Sequence, residues 1–147
     1  MDYKAKLTAE MKRCMKAGEK SRLLVVRTLL AAIKQQEVDQ QTTLNDEQIL
    51  AVLDKASKQR KESIAQFEVA GRADLVENEA SELAVIQEFM PQPLSDNEVA
   101  AMIEQAFSEV EPSGMQDMGK VMAVLKPLMQ GRADMASVSK QIKAKLG

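Results

Sequence analysis

A chain of 147 residues, 45% hydrophobic and 29% charged, is long enough for one folded domain or for a domain with a small companion. One cysteine excludes an internal disulfide framework. The apolar stretch Leu23–Val26, ended by Arg27, is too short for a signal-peptide core or a membrane span, so the expectation is a cytoplasmic protein with no membrane partner. The net charge of -2 conceals blocks: +6 over residues 1–34, -1 over 35–61, -11 over 62–111 and +4 over 112–147.

Tyr3, Leu7, Met11, Cys14 and Met15 recur at helical spacing, with Lys12, Arg13 and Lys16 largely off that stripe. They predict a basic amphipathic helix ending near Gly18. A second helix is expected from Ser21 to Gln40, burying Leu23, Val26, Leu30 and Ile33. The third starts at Asn45, an N-cap with Gln48 at the capping-box position and Leu44 and Ile49 as a hydrophobic staple. It should run to about Ala70, with "KQRKE" (58–62) on its polar surface.

The tetrapeptide GRAD then occurs twice, at Gly71–Asp74 and Gly131–Asp134. Its grammar is that of a joint between helices: a glycine that takes the left-handed conformation and an aspartate that caps the next helix. In the first copy, Glu77 would complete a capping box with Asp74. The fourth helix buries Val76, Leu83, Ile86 and Met90 and is stopped by Pro91. The flanks of the two copies do not repeat, so internal duplication is unsupported.

"PQPL" (91–94) predicts a stiff connector between residues 1–90 and 95–147. Ser95 and Glu98 form a box for a fifth helix carrying Val99, Met102, Ile103, Ala106, Phe107 and Val110. Ser113 and Gln116 suggest another box for a sixth, with Met115, Met118, Val121, Met122 and Leu125 buried. Gly119 falls inside that helix at a cost, implying close approach of a neighbour. Asp134 caps a seventh with Met135, Val138, Ile142 and Leu146. No segment alternates as a strand does. The expected fold is all-α: a four-helix unit followed by a three-helix unit.

The absence of histidine removes the commonest general base and the usual catalytic triads and zinc sites. Cys14, on an apolar stripe, reads as a small buried hydrophobe. The carboxylates Glu77, Glu79, Glu82 and Glu88 read as a solvated face. No catalytic residue, metal ligand or cofactor is assigned. What remains are basic patches. Lys12, Arg13 and Lys16, with Lys20, Arg22 and Arg27, mark the first helical hairpin. Lys120, Lys126, Arg132, Lys140 and Lys143, with Lys145, mark the C-terminal part. Lysine and arginine on helices suit phosphate contacts. With no tryptophan, and the phenylalanines on core stripes, base stacking on single strands is disfavoured, whereas phosphate recognition of a structured RNA is compatible.

"KQRKESIAQFEVAGRADL", "EFMPQPLSDNEV" and "DMGKVMAVLKPLMQGRAD", in that order, resemble the YqeY family of small bacterial proteins across essentially the whole chain. The last block, through "MGKVM", "LKP" and the Gly131 turn, also resembles the tail domain of GatB, the tRNA-binding subunit of the glutamine-dependent tRNA amidotransferase. The resemblance implies a helical bundle followed by a GatB-tail-like unit, with Lys120, Lys126 and Arg132 the positions to suspect for tRNA contact. Charge adds Lys140 and Lys143. No counterpart of the amidotransferase catalytic portions is present. The implied function is an accessory module for tRNA, with a protein partner in tRNA-dependent amidation. The competing expectation is a protein–protein adaptor with no RNA role.

Overall fold

The structure is a computed structural model in which residues 2–147 are described. It is all-α, and no strand occurs among the described residues. The helices are α1 (Tyr3–Ala17), α2 (Lys20–Gln40), α3 (Asp46–Val69), α4 (Ala73–Glu88), α5 (Asp96–Val110), α6 (Met118–Met129) and α7 (Met135–Leu146), with a 3-10 turn at Met115–Asp117 before α6. The chain divides into two compact units, Met1–Pro91 and Gln92–Gly147.

In the first unit, Leu7 of α1, Val26, Leu29 and Ile33 of α2, Ile49 and Leu53 of α3, and Ile86 at the end of α4 form the core. Each such side chain, moved wholly out of water, contributes about 1.5–3 kcal/mol before entropy is counted. The inward face of α2 is rotated slightly from the expected one. Val25 and Leu29 are buried beside Val26 and Ile33, while Leu23 and Leu30 are half-buried. The stripe ends on Glu37, a charged residue at a core position. Asn45 makes the expected capping box, and Leu44 and Ile49 both enter the core as a staple should.

The two GRAD segments build different joints. At the first, Gly71 is left-handed (φ 70°), and the N–H groups of Gly71 and Arg72 donate to the carbonyls of Glu68 and Phe67 at 3.1 and 2.9 Å. This is a Schellman ending. α4 restarts at once, at Ala73, so Asp74 lies inside its first turn and is not the N-cap, and no capping box forms with Glu77. Asp74 instead pairs with Arg72 at 3.1 Å. At the second, Gln130 (φ -55°, ψ 122°) and Gly131 (φ 75°) are the central residues of a type II turn, closed by Arg132 N–H to the Met129 carbonyl at 2.8 Å. Here there is room before α7, and Asp134 does cap it, accepting from the Ala136 N–H at 3.1 Å.

The second unit packs Val99, Ile103 and Ala106 of α5 against Val121, Leu125 and Met129 of α6 and Val138 and Ile142 of α7. Ser95 and Glu98 form the expected box. Ser113 and Gln116 do not. The Asp117 carboxylate takes the Ser113 backbone N–H (2.9 Å) and hydroxyl (3.0 Å), and α6 begins only at Met118. Met115 is consequently exposed rather than buried. Gly119 then falls in the first turn of α6, and a Cβ there would meet nothing within 4 Å, so no close helix approach explains it.

Candidate functional site

The basic residues of the first hairpin are not equivalent. Arg13 grips Glu10 with Nε and Nη2, the latter at 2.6 Å, and reaches Glu19 at 2.8 Å. Arg22 donates to the same Glu10 at 2.7 Å, pairs with Glu88 of α4 at 2.5 Å and lies over the Phe89 ring at 5.9 Å. The network fastens α1, α2 and the end of α4 together. Hydrogen bonds from Arg13 and then Arg22 hold the Glu10 carboxyl down at about 2. Arg13 and Arg22 are therefore engaged within the fold, and the predicted patch shrinks to Lys12, Lys16, Lys20 and Arg27, all exposed. Lys12 sits at the edge of a shallow open groove of about 460 Å³ beside α1, which Asp2, Lys4, Ala5, Thr8 and Ala9 also line.

Cys14 lies fully buried against this network, its Sγ 3.6 Å from Glu10 Oε1. Burial, then the hydrogen bond to Glu10, push the thiol upward, the opposite of what a nucleophile needs. Glu10, Cys14 and Glu19 bring ligand atoms within 4.8 Å of one another. The guanidinium groups already on both carboxylates make this an arginine site rather than a cation site.

In the second unit, charge is segregated by element. α5 carries Asp96, Glu98, Glu104 and Glu109 and no lysine or arginine. α7 carries Lys140, Lys143 and Lys145 and no acid. Lys126, Lys140 and Lys143 are exposed and have no ion-pair partner among the described residues. Lys140 and Lys143, at i and i+3, share a face of α7. Lys120 and Lys126 diverge by about 120° around α6, and Lys120 leans on Asp117 at 3.6 Å. Lys145 lies over the Phe107 ring at 5.0 Å. Arg132 is partly structural. Its carbonyl accepts the Leu94 N–H at 2.8 Å and its Nε donates to the Gln92 carbonyl at 3.3 Å, pinning the proline-containing segment to the α6–α7 joint.

Further ionic contacts escape sequence reasoning. Arg60, placed on the polar surface by periodicity, is half-buried between Glu82 (2.9 Å) and Glu79 (3.5 Å) of α4. With Glu88 bound to Arg22, three of the four carboxylates expected on a solvated face are paired. Glu37, 8% exposed, accepts Lys4 Nζ at 2.7 Å and the Leu44 N–H at 2.9 Å, which together lower its pKa. A signal for Glu37 existed: it stands four residues after Ile33 on the buried stripe of α2.

The family model described as Yqey-like protein matches residues 4–146. The chain belongs to the YqeY family. Among curated relatives, the protein named Altered inheritance of mitochondria protein 41, mitochondrial, of Lachancea thermotolerans is 36% identical over 116 residues, which are 77% of this chain and 62% of the relative. Its namesake in Kluyveromyces lactis is 34% identical, over 77% of this chain and 63% of the relative. The namesake in Pyrenophora tritici-repentis is 28% identical over 97% of this chain and 80% of the relative. The chain thus spans less than two thirds of the length of the first two. These YqeY relatives are fungal proteins named as mitochondrial, which overturns the expectation of a cytoplasmic protein. The physical reason is plain: a reduced cysteine and the lack of a long apolar run do not distinguish the cytosol from an organelle whose import signals are amphipathic rather than apolar.

Proposed function

We propose that this YqeY protein is a non-catalytic accessory module that binds structured RNA, tRNA in particular, through the lysines of α6 and α7. The observation that carries the reading is the segregation of charge in the second unit. Lys126, Lys140 and Lys143 are exposed with no ion-pair partner among the described residues, and the unit's acids are concentrated on α5 and in the turns before α6 and α7. Free ammonium groups suit phosphates, whose condensed counterions are released on contact. Likeness to the GatB tail supports tRNA as the polymer and tRNA-dependent amidation as the setting. The amide chemistry would belong to a partner, since the chain has no histidine and its one thiol is buried.

The test is binding of bulk tRNA by the full chain across a salt series, beside duplex DNA of equal length. The Lys126→Glu/Lys140→Glu/Lys143→Glu variant should bind at least about tenfold more weakly, with its salt slope reduced by about two to three. Unchanged affinity and slope in that variant would defeat the RNA reading and leave the adaptor reading in its place.

A further inference from the structure

α2 has a second face. Opposite its buried stripe, Leu24, Thr28, Ala31 and Val38 recur at spacings of four, three and seven, as along a coiled-coil seam. All four are exposed, Leu24 at 63% and Val38 at 58%. The polar groups on this face are turned to internal partners. The Thr28 hydroxyl donates to the Leu24 carbonyl at 2.8 Å, and the Gln35 amide, in the gap of the seam, donates to Asp39 at 2.8 Å. What the face offers outward is a narrow apolar strip floored by the small residue Ala31.

One edge of the strip is basic. Lys20, Arg27 and Lys34, also seven apart, run beside it. All are exposed, and none has an ion-pair partner among the described residues. On the other edge the one charged residue is Asp39, already engaged by Gln35. We propose that this face of α2 docks an acidic amphipathic helix of a protein partner, its apolar residues packing over Ala31 and its carboxylates meeting Lys20, Arg27 and Lys34. Charge decides against a second copy of this chain. Antiparallel pairing through the strip would set Arg27 and Lys34 of the two copies against each other, and like charges flanking a seam disfavour it. The apolar strip decides against RNA, which offers such a surface little to pack on. The inference is independent of the lysines of α6 and α7.

The probe is a synthetic helical peptide of about three heptads with leucine at its seam positions and glutamate on both flanks, beside a twin with lysine on the flanks. Titrated into the full chain, the glutamate peptide should bind at least about tenfold more tightly than its twin, and more weakly as salt rises. Ala31→Arg, or Thr28→Arg if the first variant loses helicity, should weaken binding about tenfold or more. Arg27→Glu/Lys34→Glu should reverse the preference between the peptides. Equal binding of both peptides, or binding that survives Ala31→Arg and Thr28→Arg, overturns the proposal. So does a dimer of the chain that Ala31→Arg dissociates. Loss of tRNA affinity in Arg27→Glu/Lys34→Glu, with neither peptide bound, would assign the row to RNA and likewise overturn it.

Discussion

Glu10 is a carboxylate held by two guanidinium groups, and its titration is displaced accordingly. Its folded pKa, about 2, lies below its ordinary value of 4.5. A depressed carboxylate stabilises the fold above its unfolded pKa and ceases to do so as pH falls through the folded one. Glu10 therefore contributes fully above about pH 4.5 and loses that contribution down to about 2. Urea midpoints measured over this window should fall in the wild type, and fall less steeply in Glu10→Gln. Identical slopes would remove Glu10 from the account. The glycines separate just as clearly. Gly71 is left-handed at φ 70°, so Gly71→Ala should cost about 1–2 kcal/mol. Gly119 has open space around it in the first turn of α6, so Gly119→Ala should stabilise by about 0.4–1 kcal/mol. Equilibrium unfolding of both variants checks the pair, and a destabilised Gly119→Ala would refute the reading. Gly71 was legible in the sequence because a left-handed helix end has a local signature. Gly119 was misread because its surroundings depend on where α6 begins, which the Asp117 bonds decide.

At the scale of elements, the α3–α4 hairpin is uneven along its length. Its base holds Ile49, Leu53 and Ile86 in the core, but from Lys58 through Val85 no residue of α3 or α4 is fully buried. Ile64, Phe67, Leu75 and Val76 are only partly covered, and Val69 is 92% exposed. In that stretch Arg60 is fixed between Glu79 and Glu82. Amide exchange should therefore be faster in the outer halves of α3 and α4 than around Val26–Ile33 of α2. Arg60→Ala, which leaves two half-buried carboxylates side by side, should cost about 1–2 kcal/mol. Its exchange signature should be confined to the hairpin. Uniform loss of protection across α1 to α4 would show that the triad serves the whole core. Sequence periodicity located both helices well, because a stripe of Leu, Ile and Phe is a local pattern. It could not reveal that the stripe thins outward, nor that Arg60 faces α4, because both depend on the register between two helices. The same limit explains the first basic patch. Arg13 and Arg22 look free in the sequence, and only the meeting of α1, α2 and α4 shows them bound to Glu10, Glu19 and Glu88.

For the whole molecule, the two apolar clusters share no residue. One runs from Leu7 to Phe89, the other from Val99 to Ile142. Destabilisation should then stay within the unit where it is introduced. Leu125 is fully buried between helices of the second cluster, and Leu125→Ala should cost about 2–5 kcal/mol there. A unit this small has little reserve, since a short chain buries a smaller fraction of its surface on folding. Leu125→Ala should thus lower amide protection throughout α5, α6 and α7 while leaving α2 near Ile33 as protected as in the wild type. Ile33→Ala should do the reverse. Equal loss of protection in both units from either substitution would mean that they unfold as one cooperative body. Separate unfolding would also bear on function. The lysines of α6 and α7 and the outer face of α2 would then sit on units of independent stability, so a variant that melts one should abolish the binding proposed for that unit and spare the binding proposed for the other.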